Sequence, residues 1–139
     1  MLRRMKKLAK ARENFALEST LSSRSLAPWL IRLQADGYVV HLIFLWLIDA
    51  NLAVKRVAER VKTGGHDIPE ETVRRRYTRS ISNFFNIYRP IADSWLMLDN
   101  SLQDLPKPVA WRNVGGPVQI TKNGPWQTLR EEYEKDIFQ

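Results

Sequence analysis

The chain has 139 residues, no cysteine, and a net charge of +7 from 22 Lys and Arg against 15 Asp and Glu. This length suits one domain, and a chain without cysteine cannot form disulfides, thiolate metal sites or a cysteine nucleophile. The positive charge favours polyanionic partners: nucleotide phosphates, nucleic acid or an anionic membrane surface. The longest apolar run, residues 38–48, is shorter than the roughly 20 residues of a membrane span. The basic N-terminus lacks the apolar stretch of a signal peptide, so we expect a cytoplasmic protein with no membrane partner.

The first half of the chain predicts alternating helices and strands. We expect a basic helix over residues 1–13, a short strand over 14–20 and a second helix that ends near Asp36. Residues 38–48, "YVVHLIFLWLI", are apolar on both faces. That pattern is typical of a central strand in a parallel sheet that has helices on both sides.

The second half begins with two helices that are separated by a pair of glycines. After Asp49, apolar residues at helical spacing predict a helix that stops at the glycine pair. Pro69 begins the next helix, which ends near Pro90. Residues 93–101 predict another apolar strand. Residues 102–139 are rich in proline and glycine, and they predict a loop-rich tail with room for two short edge strands and a C-terminal helix.

Alternating strands and helices predict an α/β layered fold, in which a mostly parallel sheet is flanked by helices. We expect residues 1–139 to form a single domain. Ligands in such folds bind at the carboxyl ends of the strands, which here means residues 18–22 and 47–51. The glycine-rich segment ahead of three consecutive arginines, residues 63–69, should close over the same edge.

Three stretches carry a family resemblance: "FALESTLSSRS", "GYVVHLIFLWL" and "TGGHDIPEETVRRRY". In this order they resemble the C-terminal half of the zeta-toxin-like P-loop kinases, from about residue 15 to residue 101. The resemblance implies a partial P-loop-kinase-like fold without the P-loop strand. It also implies an ATP- and Mg²⁺-dependent transfer of a phosphoryl group to a hydroxyl of a small molecule, in zeta toxins that of a UDP-amino-sugar.

The resemblance also implies roles for individual residues. Glu18 and Thr20 match a Glu-x-Thr that contacts the substrate. Arg60 matches a helix arginine that holds phosphates and takes part in catalysis. The run Arg74, Arg75 and Arg76 spans the lid position. For these arginines the resemblance implies a role in catalysis, and for Arg75 it implies binding of the nucleotide phosphates. The sequence does not decide which of the three points inward.

The chain departs from the family pattern at one essential place. No glycine begins the G-x-x-x-x-G-K-[ST] sequence of a Walker A loop, which cradles the nucleotide phosphates. We therefore expect a truncated kinase domain, from a fragment, a split gene, a mis-assigned start or a remnant, and no kinase turnover by this chain alone. An N-terminal half, or self-association, would then complete it.

Three other readings stay open. The arginine run suits a solvated helix face on which Glu70 pairs with Arg74 and Glu71 with Arg75. The basic first helix and the net charge suit a non-catalytic module that binds nucleic acid. A remnant that lacks a neighbouring strand would expose an apolar patch and depend on a partner.

Overall fold

The computed structural model describes residues 2–135. Its α-helices are α1 (Leu2–Lys10), α2 (Leu26–Ala35), α3 (Ala50–Lys62), α4 (Glu70–Asn83), α5 (Arg89–Ile91) and α6 (Trp126–Tyr133). One π-helical turn, Phe84–Tyr88, joins α4 to α5. The strands are β1 (His41–Trp46), β2 (Ser94–Asp99), β3 (Lys107–Arg112) and β4 (Val118–Ile120). None of the helices in the described range is long and apolar enough to cross a membrane.

The four strands form one sheet in the order β1-β2-β3-β4. β1 and β2 are parallel and are connected by α3 and α4, whereas β2–β3 and β3–β4 are antiparallel. The α/β class is therefore confirmed, but the prediction of a mostly parallel sheet is wrong. The reason lies in the tail, where a turn closed by Gly116 N–H donating to the Asn113 carbonyl at 3.0 Å reverses the chain between β3 and β4. Gly115 occupies that turn with a φ of +69°, a conformation that favours glycine.

Residues 14–20 do not form the predicted strand. A strand needs a hydrogen-bonded neighbour, and no other described segment pairs with this one. Its hydroxyl side chains bind the local backbone instead: the Leu21 N–H donates to Ser19 Oγ at 3.1 Å, and the Ser22 N–H donates to Thr20 Oγ1. Such local bonds offer the backbone an alternative to a sheet ladder.

The core lies between one face of the sheet and the helices. β1 and β2 place Phe44, Trp46, Trp95 and Met97 on this face, and all four are buried. The helical side contributes an aromatic cluster of Phe84, Phe85, Tyr88 and Trp126. Phe44 stacks on Phe84 with ring centroids 4.7 Å apart, and Trp95 stacks on Trp126 at 5.2 Å. The C-terminal helix α6 is therefore part of the same core as the strands.

The other face of the sheet is open at β1. Ile43 is 64% exposed and Leu45 is 53% exposed, and their register partners on β2, Leu96 and Leu98, are only half-buried. β1 is also an edge strand, with β2 as its neighbour on one side alone. The prediction of a central strand covered on both faces is therefore wrong. The apolar run does not by itself decide whether a strand is covered, because the covering elements come from elsewhere in the fold.

Candidate anion-binding site

The candidate site lies where β1 ends and α3 begins. Asp49 caps α3, because its carboxylate accepts a hydrogen bond from the Leu52 N–H at 2.8 Å. The Tyr77 hydroxyl on α4 donates to the Leu47 carbonyl at 2.8 Å. These two contacts fix the first turn of α3 and the middle of α4 against the carboxyl end of β1, which is the edge that the sequence indicated.

The glycine-rich loop between α3 and α4 packs tightly on the end of α3. The Gly65 N–H donates to the Arg60 carbonyl at 2.7 Å. A Cβ atom at Gly65 would lie 2.9 Å from that same oxygen, so this position needs glycine. The close approach holds the loop against α3 and brings Ile68, further along it, to the cavity described next.

A cavity of about 230 Å³ opens between α3, α4, the loop and the end of β1. Three of the predicted site residues, Thr20, Arg60 and Arg76, line it. The remaining lining residues are Phe44, Leu45, Trp46, Leu47, Ala53, Val57, Ile68, Val73, Tyr77, Ser80 and Ile81. Residues predicted from distant parts of the sequence are thus brought to one concave surface.

The three consecutive arginines point in different directions. Arg76 lines the cavity. Arg74 forms an ion pair with Glu70 at 2.8 Å and donates to Asn51 Oδ1 at 2.9 Å, so it ties α4 to the start of α3. Arg75 is exposed and does not line the cavity. The predicted Glu70–Arg74 pair is confirmed, whereas Arg75 makes no ion pair with Glu71 within residues 2–135.

Arg60 and Arg76 are exposed, and in the described part of the chain their guanidinium groups have neither an acidic partner nor a hydrogen-bond acceptor. They come from two different helices and face one cavity. Guanidinium groups bind phosphate and carboxylate oxygens with paired N–H donors. The arrangement can therefore hold an anion at the mouth of the cavity.

Glu18 does not share this cavity. It lines a separate hollow of about 210 Å³ between α1 and the start of α2, with Met5, Leu17 and Trp29 among its neighbours. The two residues of the Glu-x-Thr that the resemblance identified, Glu18 and Thr20, therefore line different cavities. Their assignment as substrate contacts stays a prediction.

Tyr77 is a site residue whose contribution the sequence did not indicate. Tyr77 lies at helical spacing from the buried residues Val73 and Ile81, and its ring is half-buried. Its hydroxyl group, however, anchors α4 to β1 beside the cavity. Burial is the main reason that the pKa of Tyr77 rises to about 12, and the negative charge of Asp49 adds to the rise. The only signal in the sequence for this anchoring hydrogen bond is that Tyr77 directly follows Arg76, a predicted site residue.

The described residues contain no group of three or more His, Asp or Glu side chains that could hold a metal ion. The site is thus cationic and partly apolar, and it has no carboxylate among its lining residues. It suits an anionic ligand better than a metal ion.

The family model described as Zeta toxin matches residues 2–95, well over half of the chain, and the chain belongs to the zeta toxin family. Membership confirms the resemblance drawn from the sequence and implies a P-loop-kinase-like toxin fold, for which nucleotide binding is typical.

An uncharacterized protein of Haemophilus influenzae is 36% identical to this chain over 63 residues, which cover 45% of this chain and 45% of that protein. The chain thus spans less than half of that relative's length. No solved structure matches the chain.

Proposed function

We propose that this chain is the C-terminal portion of an ATP-dependent kinase resembling the zeta toxins, and that Arg60 and Arg76 hold the phosphates of its nucleotide. The observation that carries the proposal is the presence of these two unpaired guanidinium groups, from α3 and α4, on one cavity at the carboxyl end of β1. Arg74, engaged by Glu70 and Asn51, then acts as a strut between the helices, and Arg75 has no direct contact with the ligand.

The proposed contribution of the arginines is electrostatic. Phosphoryl transfer places negative charge on the equatorial phosphate oxygens, and a well-placed arginine accelerates it by about 10³ to 10⁵. Two guanidinium groups fixed on packed helices would be arranged for that charge before the ligand arrives. The acceptor would be a hydroxyl of a small molecule, such as the UDP-amino-sugar of zeta toxins, and Thr20, which lines the cavity, would contact this acceptor.

The residues present fit only part of the implied cofactor set. Arg60 and Arg76 fit the phosphate chain of ATP. The described range holds no cluster of three or more His, Asp or Glu side chains that could hold a metal ion, and the sequence has no Walker A loop. We therefore expect the chain alone to bind phosphates weakly and to transfer no phosphoryl group. The proposed location of the protein is the cytoplasm.

Titration calorimetry with inorganic pyrophosphate at low salt tests this function. A charge-assisted hydrogen bond is worth about 1.5–3 kcal/mol, so we expect Arg60→Ala or Arg76→Ala to weaken binding about 10- to 100-fold. Arg75→Ala, next in sequence and outside the cavity, is the matched control and should change it less than about threefold. Equal effects of all three substitutions would show only general charge attraction and would refute the proposal.

The open sheet face supports a second proposal, that the chain depends on another polypeptide. Ile43 and Leu45 are exposed on an edge strand, and large exposed apolar patches mark contact surfaces. A polypeptide that carries a P-loop strand, or a second copy of this chain, would cover them. Light scattering should show self-association that Ile43→Lys or Leu45→Lys reduces, whereas Leu105→Lys, which changes a leucine that is 87% exposed elsewhere, should not. A wild-type chain that stays monomeric at high concentration would argue against the proposal.

A third proposal, nucleic-acid binding, rests on α1. Arg3, Arg4, Lys6, Lys7 and Lys10 are exposed there, while Met5 packs inward. Binding through several phosphate contacts would weaken steeply as salt increases. A gel shift with double-stranded DNA at low and moderate salt tests it, and no shift at low salt would exclude this function.

A further inference from the structure

Trp46, the last residue of β1, carries an unpaired hydrogen-bond donor in the wall of the cavity. The residue is 5% exposed and lines the cavity together with Arg60 and Arg76. Its indole Nε1 is buried and has no hydrogen-bond partner among residues 2–135. A buried N–H group without a partner lowers stability, so its presence in a folded protein calls for an explanation.

The neighbouring Tyr77 shows where this N–H group lies. Burial raises the pKa of Tyr77, and the Trp46 indole partly opposes that rise, so the indole nitrogen lies near the Tyr77 hydroxyl. The two groups do not form a hydrogen bond with each other, and the Tyr77 hydroxyl donates to the Leu47 carbonyl at 2.8 Å. Both aromatic residues line the cavity. The unpaired N–H group therefore lies beside a residue of the cavity wall.

The chemistry of the indole limits what can pair with it. An indole N–H donates and cannot accept, so its partner must be an acceptor atom. No Asp, Glu, Asn or Gln lines the cavity, so these side chains supply no carboxylate or amide oxygen there. The guanidinium groups of Arg60 and Arg76 attract anions. A phosphate group supplies oxygens for all three donors, and hydrogen bonds to charged oxygens are the stronger ones.

We infer that Trp46 is a third phosphate-binding residue, whose indole N–H donates to an oxygen in the phosphate chain of the nucleotide. This inference rests on the proposed function, because Arg60 and Arg76 bring the phosphates to the cavity. The two arginines are exposed and Trp46 is buried. The indole contact is therefore deeper than the guanidinium contacts, and it forms only when a phosphate group enters the cavity. It distinguishes such a phosphate from an anion that is attracted to the surface alone.

Proton–nitrogen correlation NMR of the isotope-labelled chain tests the contact directly. Each tryptophan indole N–H gives its own resonance, which single Trp→Phe variants assign. Addition of inorganic pyrophosphate at low salt should move the Trp46 indole proton downfield, because a hydrogen bond to a charged oxygen deshields it. The indoles that do not line the cavity should move less: Trp29, Trp95, Trp111 and Trp126. Arg76→Ala should abolish the shift of the Trp46 resonance.

Calorimetry with pyrophosphate measures the contribution to affinity. Trp46→Phe removes the donor and keeps an aromatic ring in the wall. Loss of a hydrogen bond to a charged group should weaken binding at least about tenfold. Trp95→Phe makes the same change at a residue that is 3% exposed and does not line the cavity. It is the matched control and should change the affinity less than about threefold.

The outcomes separate the inference from the function on which it rests. If the Trp46 resonance does not move while Arg76→Ala still abolishes binding, the inference is wrong and the phosphate site stands. If Trp46→Phe and Trp95→Phe weaken binding equally, the loss reflects core packing and the inference is also wrong. If Trp46→Phe does not fold, the resonance of the unmodified chain decides the question, with the other variants assigning it. If neither Arg60→Ala nor Arg76→Ala weakens binding, the proposed function and the inference both fail.

Discussion

Replacing Tyr77 by phenylalanine tests the anchor between α4 and the end of β1. The change removes the 2.8 Å hydrogen bond to the Leu47 carbonyl and keeps the ring in the core. A hydrogen bond contributes about 0.5–1.5 kcal/mol to stability, so we expect Tyr77→Phe to lower the free energy of unfolding by about 1 kcal/mol at pH 7.

The same substitution should change how stability depends on pH. The pKa of Tyr77 is 10.0 as a reference value and about 12 in the folded chain. Because the folded pKa is the higher one, the stabilisation is fully present below pH 10 and is lost as the pH rises from 10 towards 12. A two-unit difference is worth about 2.7 kcal/mol at most, and we reduce it to about 1–2 kcal/mol because the side chain is only half-buried.

Urea denaturation followed by tryptophan fluorescence, at several pH values from 7 to 11.5, measures both effects. The wild-type chain should lose more stability above pH 10 than Tyr77→Phe does, so that the two unfolding free energies converge. Tyr88, whose pKa burial also raises, contributes equally to both proteins and cancels in the difference. The charge of Tyr133 helps to raise the pKa of Tyr77, so the contribution of Tyr133 does not cancel. Curves that stay parallel over the whole range would refute the reasoning.

Three further substitutions have defined outcomes. Trp126→Ala removes a side chain that is 2% exposed, and it should lower the free energy of unfolding by about 3–5 kcal/mol in thermal denaturation. Gly65→Ala places a Cβ atom 2.9 Å from the Arg60 carbonyl and should cost about 1–3 kcal/mol in urea denaturation; Gly116→Ala, whose nearest contact is 3.5 Å, should cost less. Arg74→Ala breaks an exposed ion pair, so it should change stability by less than about 1 kcal/mol. Because Arg74 does not line the cavity, it should weaken pyrophosphate binding much less than Arg76→Ala does; an equal loss would show that Arg74 contacts the ligand.

Local sequence patterns predicted the helices well. α3 begins at the capping residue Asp49 and ends just before the glycine pair, and α4 begins after Pro69, because these signals act within one or two turns. Ile81, Phe84 and Tyr88, which follow one another at helical spacing, are buried. The π-helical turn at Phe84–Tyr88 carries no such local signal.

Predictions that depend on distant partners were less successful. Residues 14–20 have strand-like composition, but pairing decides whether a strand forms, and no neighbour pairs with them. The directions of β3 and β4 depend on how the tail folds back onto the sheet. The alternation of strands and helices in the sequence does not specify these directions. For the site, the sequence selected the arginines as a group. The packing of α3 against α4 determines that Arg76, and neither Arg74 nor Arg75, lines the cavity together with Arg60.

The packing of α6 has a practical consequence for anyone who designs shorter versions of this protein. The family match ends at residue 95, within β2, yet the Trp126 indole fills the space between Phe85 and Trp95. Arg89 reinforces that arrangement, because its guanidinium group lies 5.6 Å from the centres of these three rings and pairs with Glu134 at 3.0 Å. An expression clone cut at the family boundary would break a strand and uncover both aromatic rings, so a usable minimal version must extend at least through Glu134.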